Sequence, residues 1–216
     1  MIVIHHLLVS QSERIIWLME ELGLPYELKS YRREATMAAP PVFRELNPVG
    51  QAPVIQDGEV TLAESLAIMT YILETYGEGR LRIRAGEPGF ADYLYWFHYS
   101  VGSLMPRAMQ HMAAARMPPA DDDPRAAAFR ERLAWHLDMI DARAAAHEWL
   151  AGEIFTAADI ACHFPFGTMS QFVPIDLSGY AGISGWLGRI SARPGYQRAM
   201  RAAGHQHDPA AFAVAG

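Results

Sequence analysis

The chain has 216 residues, 51% of them hydrophobic and 19% charged, a balance that excludes a disordered, fibrous or low-complexity protein and suits one large domain or two small ones. Its formal net charge is −6, and of its 18 basic residues only Lys29 is a lysine. With no Lys/Arg-rich run, the sequence carries no electrostatic footprint for nucleic acid or for an anionic membrane surface. Its apolar stretches fall far short of a bilayer span. Met1-Ile2-Val3-Ile4-His5-His6 lacks the basic and long apolar regions of a signal peptide, so a cytoplasmic location is expected. The single cysteine, Cys162, excludes an internal disulfide, a CxxC pair and a thiolate metal cluster. Thiol chemistry here needs Cys162 itself or a thiol from outside.

In chain order, Met1 to Leu8 is a short apolar, β-branched run that predicts a strand. Ser12 to Leu22 places Ile15, Ile16, Leu18, Met19 and Leu22 on one helical face, and Gly23 with Pro25 ends that helix. Tyr26 to Tyr31 predicts a second strand, parallel to the first because a helical crossover separates them. After an irregular segment, Ala52 to Ile55 and Glu59 to Leu62 flank Gln56-Asp57-Gly58 as a β-hairpin. Glu64 to Tyr76 is a helix with Leu66, Ile68, Met69, Ile72 and Leu73 at helical spacing. The order is βαβ then ββα, a small α/β domain. Glu78 to Gly89, rich in Gly, Arg and Glu, reads as a linker.

Everything beyond is predicted helical. Phe90 to Met112 is one long helix rich in aromatics and methionine. Pro118-Pro119 and Asp121-Asp122-Asp123-Pro124 form a loop and a solvated acidic helix start, followed by an amphipathic helix from Arg125 to Trp149. Phe155 to Ile160 has the form of a capped start, with Thr156 at the N-cap, Asp159 at N3, and Phe155 with Ile160 as a hydrophobic staple. Two shorter helices follow, around Ser184 to Ser191 and Pro194 to Ala203, and then a loosely ordered tail containing His205 and His207.

Chemistry concentrates in the α/β domain. Asn47-Pro48-Val49-Gly50-Gln51-Ala52-Pro53-Val54 enters a strand through a proline, which fits only the first residue of a strand or an edge. A cis Pro53 there leaves the Ala52 backbone groups facing outward to pair with an extended, peptide-like ligand. Glu64-Ser65 opens a helix, whose free N–H groups and dipole suit a carboxylate. Ser10 and Ser12 lie where the first strand gives way to the first helix. Together these features describe a pocket for a short, anionic, peptide-like molecule.

The βαβ–ββα unit with Asn-Pro-x-Gly-x-x-Pro before its third strand, Glu-Ser at its third helix and an all-helical region behind resembles the cytosolic glutathione S-transferases. Phe155-Thr156-Ala157-Ala158-Asp159-Ile160 and Arg193-Pro194 strengthen the resemblance, which runs from about residue 1 to 205. His5-His6-Leu7, Met37-Ala38-Ala39-Pro40-Pro41 and Trp96-Phe97-His98-Tyr99 look most like the bacterial and fungal serine-type branch.

The resemblance implies an α/β thioredoxin-like N-terminal domain and an all-α C-terminal helical bundle. Residues 1–80 would bind glutathione, 81–89 would link, and 90–216 would line the hydrophobic substrate site. It implies that Pro53 is a cis-proline, that Ala52 holds the cysteinyl backbone of glutathione, and that Glu64 and Ser65 grip its γ-glutamyl group. Gln51 falls near the glycyl end, where many relatives have lysine or glutamine. Ser10 matches the hydroxyl that donates to the glutathione sulfur and Ser12 reads as the helix cap, with Ser12 the alternative contact to the sulfur. Tyr99, Met105 and Met109 are the expected contacts to the electrophile. Conjugation of glutathione thiolate to small apolar electrophiles by a detoxifying homodimer is the activity implied. Glutathione-dependent peroxide reduction would use the same thiolate, and a weakly catalytic ligand- or partner-binding module is the alternative outside enzymes.

Other residues read more plainly. Cys162, in an apolar helix, is a buried and inert thiol. No cysteine lies near position 10, which argues against thiol exchange. His5 and His6 point to opposite faces of their strand, so they form no metal pair; one is expected inward and hydrogen-bonded, the other exposed. No metal is expected.

Overall fold

In the computed structural model, residues 1–116 and 124–204 are described. The Pro118-Pro119 loop, the Asp121-Asp122-Asp123 run, His205 and His207 lie outside them. The chain divides into two compact units, Met1–Arg80 with the chain from Ser191 onward, and Leu81–Ile190.

The apolar, β-branched run at the start forms β1 (Ile2–Leu7), one of the two inner strands of a four-stranded sheet of order β2-β1-β3-β4. After α1 (Glu13–Leu22), β2 (Tyr26–Tyr31) pairs parallel to β1, with Ile2 opposite Tyr26 and Leu7 opposite Tyr31. Gly23, at φ 63, caps α1 in the left-handed conformation and donates to the Met19 carbonyl, the stop that Gly23 predicts. A four-residue helix, α2 (Pro41–Arg44), sits in the segment expected to be irregular. β3 (Val54–Asp57) and β4 (Val60–Ala63) close a hairpin in which Asp57 faces Val60. The turn is therefore Gly58-Glu59, one residue shorter than Gln56-Asp57-Gly58. β3 also pairs antiparallel with β1, and α3 (Ser65–Thr75) follows β4.

Both faces of β1 are covered, because an inner strand of an α/β sheet has helix or loop on each side. Leu7 packs with Ala39, Phe43 and Val54 on one face. α1 and α3 pack together and against the sheet, burying Ile15, Leu18, Met19, Ile68, Met69 and Ile72. His5 and His6 are consequently both buried, at 2% and 0% exposure, which corrects the expectation that one would be exposed.

The second unit is helical: α4 (Phe90–Tyr99), α5 (Met105–Arg116), α6 (Pro124–Ala146), α7 (Ala157–His163) and α8 (Ala181–Ser191). The single helix predicted from Phe90 to Met112 is interrupted by a wide π-helical turn at Ser100–Leu104. Pro106 has no N–H for the carbonyl four residues back, and its ring crowds that carbonyl, so the ladder widens where Gly102 permits it. Thr156 caps α7 through a complete capping box with Asp159, as its sequence signature predicts. Leu81, placed in the linker, accepts from the Ala157 N–H at 2.8 Å.

The last helix, α9 (Pro194–Ala202), belongs to the first unit and packs along α1. The sequence reading placed it with the helical domain. Charge pairing accounts for the difference: Arg193 forks onto the Glu21 carboxylate at 2.8 and 2.9 Å, and Arg198 reaches Glu20 at 2.7 Å. Gly195 permits the approach, since a Cβ there would lie 2.6 Å from the Glu21 carboxyl carbon.

Candidate active site

Sheet register gathers three loops at one end of the first unit. His5 pairs with Val54 and Val54 with Ala63, so the end of β1, the start of β3 and the end of β4 lie side by side. The turns attached to them carry Ser10, Ala52-Pro53 and Glu64-Ser65.

At the β3 entry, the Ala52–Pro53 peptide is cis. Asn47 shapes the approach, its side chain donating to the Gln51 carbonyl at 2.8 Å while its own carbonyl accepts from Gly50 N–H at 2.7 Å. Gln51 is exposed, Ala52 half-buried and Pro53 buried. At the next loop, Glu64 is exposed with φ 71, in the left-handed region that non-glycine residues occupy at a cost. Ser65 is buried at the first turn of α3, and its hydroxyl accepts from Arg14 at 3.2 Å. Arg14, buried on α1, also bonds Gln11. Two helix starts are thereby tied together.

The β1–α1 turn holds the serines. Ser10 is 6% exposed and accepts from the Ser12 backbone N–H at 3.2 Å. Ser12, fully buried, stands at the N-cap position of α1, yet its hydroxyl makes no capping bond. It lies 2.6 Å from Ser10 Oγ and 2.7 Å from His6 Nδ1 instead. Helix capping, the role expected of Ser12, is therefore corrected to a place in a buried side-chain chain, its hydroxyl bonded to the Ser10 hydroxyl and the His6 imidazole in place of the helix N–H groups. Arg33 braces the same turn, donating to the carbonyls of Leu8, Val9 and Met37 at 2.9, 3.0 and 2.8 Å. Burial lowers the Arg33 pKa from its ordinary value.

His6, Ser12 and Arg33 are contributions that sequence reasoning missed. Strand alternation puts His6 on the face toward the start of α1, which is a usable signal. Arg33 has none, because its partners are backbone carbonyls brought near only by the fold. His5 is bonded to Tyr31 Oη at 2.8 Å and to Gln56 Oε1 at 3.0 Å. Its pKa is lowered chiefly by burial.

In the helical unit, Tyr99 is buried and bonds His136, whose pKa burial lowers. The Tyr99 phenol is pushed up, chiefly by burial. Met105 is buried with Ala108, Phe164 and Met169, whereas Met109, one turn on, is 46% exposed. Cys162 is buried, its thiol donating to the Trp96 carbonyl at 3.3 Å.

Residues 1–74 match the glutathione S-transferase N-terminal domain and residues 104–194 the C-terminal domain. The chain is 34% identical over 207 residues to glutathione S-transferase 3 of Schizosaccharomyces pombe, covering 90% of this chain and 84% of that one. A crystal structure of a glutathione S-transferase from Actinobacillus pleuropneumoniae superposes with a TM-score of 0.86 at 31% identity, covering 99% of this chain and 97% of that one. A sphingomonad glutathione S-transferase complexed with glutathione superposes at 0.74 with 25% identity, covering 94% and 98%. The chain belongs to the glutathione S-transferase family. Its fold is that of the family: a thioredoxin-like mixed sheet with helices, and a helical C-terminal region.

Proposed function

We propose that this transferase joins the thiolate of glutathione to small apolar electrophiles, with glutathione held at the sheet end of the first unit. The observation that carries the reading is the convergence there of a buried hydroxyl, a strand entered through cis Ala52–Pro53 and a helix opened by Ser65. A free thiol is only slightly ionised at neutral pH, and the thiolate is the nucleophile. Ser10 donates to the sulfur and favours the anion. The Ala52 backbone pairs with the cysteinyl backbone of glutathione. Glu64 takes the γ-glutamyl ammonium, while Ser65 and the free N–H groups of α3 take its carboxylate. Gln51 meets the glycyl end as a neutral donor, where a lysine would bring a full charge.

Tyr99, Met105 and Met109 are the proposed contacts to the electrophile; Met105 and Met109 share one face of α5 at i, i+4. The family resemblance extends the proposal to a cytoplasmic homodimer acting in detoxification. Among the described residues no helix is long and apolar enough to cross a membrane.

Calorimetric titration with glutathione, followed by assay against aryl halides, activated alkenes and organic hydroperoxides, tests the reading. Saturable binding and turnover of the carbon electrophiles are expected. Turnover of hydroperoxides alone would replace conjugation by peroxide reduction, and absence of glutathione binding would remove both.

A further inference from the structure

A continuous buried hydrogen-bonded chain runs from the Ala203 carbonyl through His6 and Ser12 to Ser10. His6 Nε2 is 3.0 Å from the Ala203 oxygen. That oxygen only accepts, so Nε2 carries a proton and donates it. In the neutral imidazole, Nδ1 is then an acceptor, and the Ser12 hydroxyl donates to it across 2.7 Å. The Ser12 oxygen in turn accepts the Ser10 hydroxyl proton across 2.6 Å. Leu7 O, 3.4 Å from Ser12 Oγ, offers the Ser12 proton only a longer, secondary contact. Every donor in the chain thus points inward, and Ser10 turns a lone pair outward.

That polarity is wrong for a residue that must donate to a thiolate, and right for one that receives a thiol proton. We propose that His6 is the internal acceptor of the glutathione thiol proton, reached from Ser10 through the Ser12 hydroxyl. The proposal rests on Ser10 being the residue that meets the sulfur.

The transfer balances. Ser10 takes the S–H proton on its oxygen and passes its own proton to Ser12, and Ser12 passes its proton to His6 Nδ1. One S–H bond breaks, one N–H bond forms, and both hydroxyls are restored; no electrons leave the pair. The chain then runs outward: Nδ1–H donates to Ser12, Ser12 to Ser10, and Ser10 to the thiolate. Nε2–H stays on Ala203 throughout, so no polar atom of the chain loses its partner in either state, which is the condition for a buried network to be tolerated. A neutral thiol and imidazole become a thiolate and an imidazolium, whose attraction offsets the cost of charging a buried ring. Two helical elements reach His6: α1 through Ser12, and the chain leaving α9 through Ala203. α1 brings the buried carboxyl of Glu13, beside Ser12. α9 brings the Tyr196 phenol, pushed up to about 12 by burial and then by the charge of Glu13, so it stays neutral.

Proton accounting on the full-length protein tests this. Glutathione binding is measured by calorimetry at neutral pH in buffers of different ionisation enthalpy, and thiolate formation by its ultraviolet absorbance as pH is varied. The wild-type protein is expected to form the thiolate while releasing little of its proton to the buffer. His6→Asn keeps an acceptor close to the Nδ1 position but cannot take a proton. Ser12→Ala interrupts the chain while leaving His6 on Ala203. Both are expected to release one proton per thiolate and to reduce the thiolate fraction at neutral pH about tenfold, a shift of about one pKa unit. Thermal melts confirm folding, and Ser12→Ala carries the test alone if His6→Asn does not fold. Full proton release by the wild-type protein, or proton retention by both variants, overturns the relay while Ser10→Ala still raises the thiol pKa. Ser10→Ala with an unchanged thiolate titration removes the Ser10 reading itself, and the relay with it.

Discussion

The guanidinium of Arg33 donates to the carbonyl of Val9 at 3.0 Å, and Val9 is held at φ 57. A β-branched residue occupies that left-handed conformation only under constraint, and Arg33 supplies it by binding the flanking Leu8 carbonyl as well. The turn so braced delivers Ser10. Arg33→Met should lower kcat/KM for conjugation by about tenfold to a hundredfold through misplacement of Ser10, while costing about 1–2 kcal/mol of stability for the lost bonds. Arg33→Lys should fall between, since one ammonium cannot span the same carbonyls in a fixed fork. Steady-state kinetics beside urea unfolding separate the two effects, and a loss of activity no larger than the loss of folded protein would end the bracing role.

How much of this was legible beforehand depended on whether the cause was local. The strands, α1, α3, the capping box and the motif leading into Pro53 follow from periodicity, cap chemistry and proline restriction, all of which act within a few residues. The π-helical turn was signalled by Gly102 and Pro106 but was outweighed by continuous apolar periodicity on both sides. The placement of α9 depends on Arg193 meeting Glu21 from far along the chain, which no window of sequence contains. The same holds for the site. Ser10, Pro53 and Ser65 are visible as turn and helix-start residues. The His6–Ser12 bond, by contrast, needs the rotation of α1 about β1, and the Arg33 brace needs the path of the backbone.

The docking of α9 on α1 makes a second prediction. Gly195 lies where a Cβ would come 2.6 Å from the Glu21 carboxyl carbon, and Glu21 is held by both Arg193 and Trp17 Nε1. Gly195→Ala should therefore displace a fixed group rather than a mobile one, costing about 1–3 kcal/mol. Because the Ala203 carbonyl, just after α9, accepts the hydrogen bond from His6 Nε2–H, the same substitution should also raise the pKa of bound glutathione. Melting temperature and thiolate absorbance read the two consequences independently. An unchanged melting temperature would show that α9 docks without this close contact.

Acid should weaken the first unit through His5. Its folded pKa is lowered by burial first, opposed by the bond to Gln56 and reinforced by the charge of Lys29. The neutral ring is thus the folded form. Stability from this group is present above the unfolded value of about 6.5 and is lost as pH falls through the lower, folded value. Melting temperature should drop progressively below about pH 6.5, and His5→Gln should reduce that slope. His136, also lowered by burial, titrates in the same direction, so part of the slope remains. An identical slope in wild type and His5→Gln would show that His5 titrates alike in the folded and unfolded states.

Asp159 should be the costliest single carboxylate to remove. Oδ1 accepts from Leu150 N–H at 2.9 Å and from Trp186 Nε1–H at 3.0 Å, and Oδ2 accepts from Thr156 N–H at 3.0 Å. Burial pushes its pKa up while these donors pull it down, so the group is held by its bonds and not by solvent. Asp159→Ala leaves three buried N–H groups without an acceptor, a loss of about 3–5 kcal/mol. Asp159→Asn should not rescue it. Whichever way the amide is turned, its NH2 faces an N–H donor, Thr156 in one orientation and Leu150 with Trp186 in the other. Thr156→Ala, by comparison, removes one cap acceptor, for about 1 kcal/mol. Urea denaturation of the three variants should rank them with Asp159→Ala and Asp159→Asn well below Thr156→Ala. A mild Asp159→Asn would mean that the native carboxyl is protonated and already donates a hydrogen bond of its own.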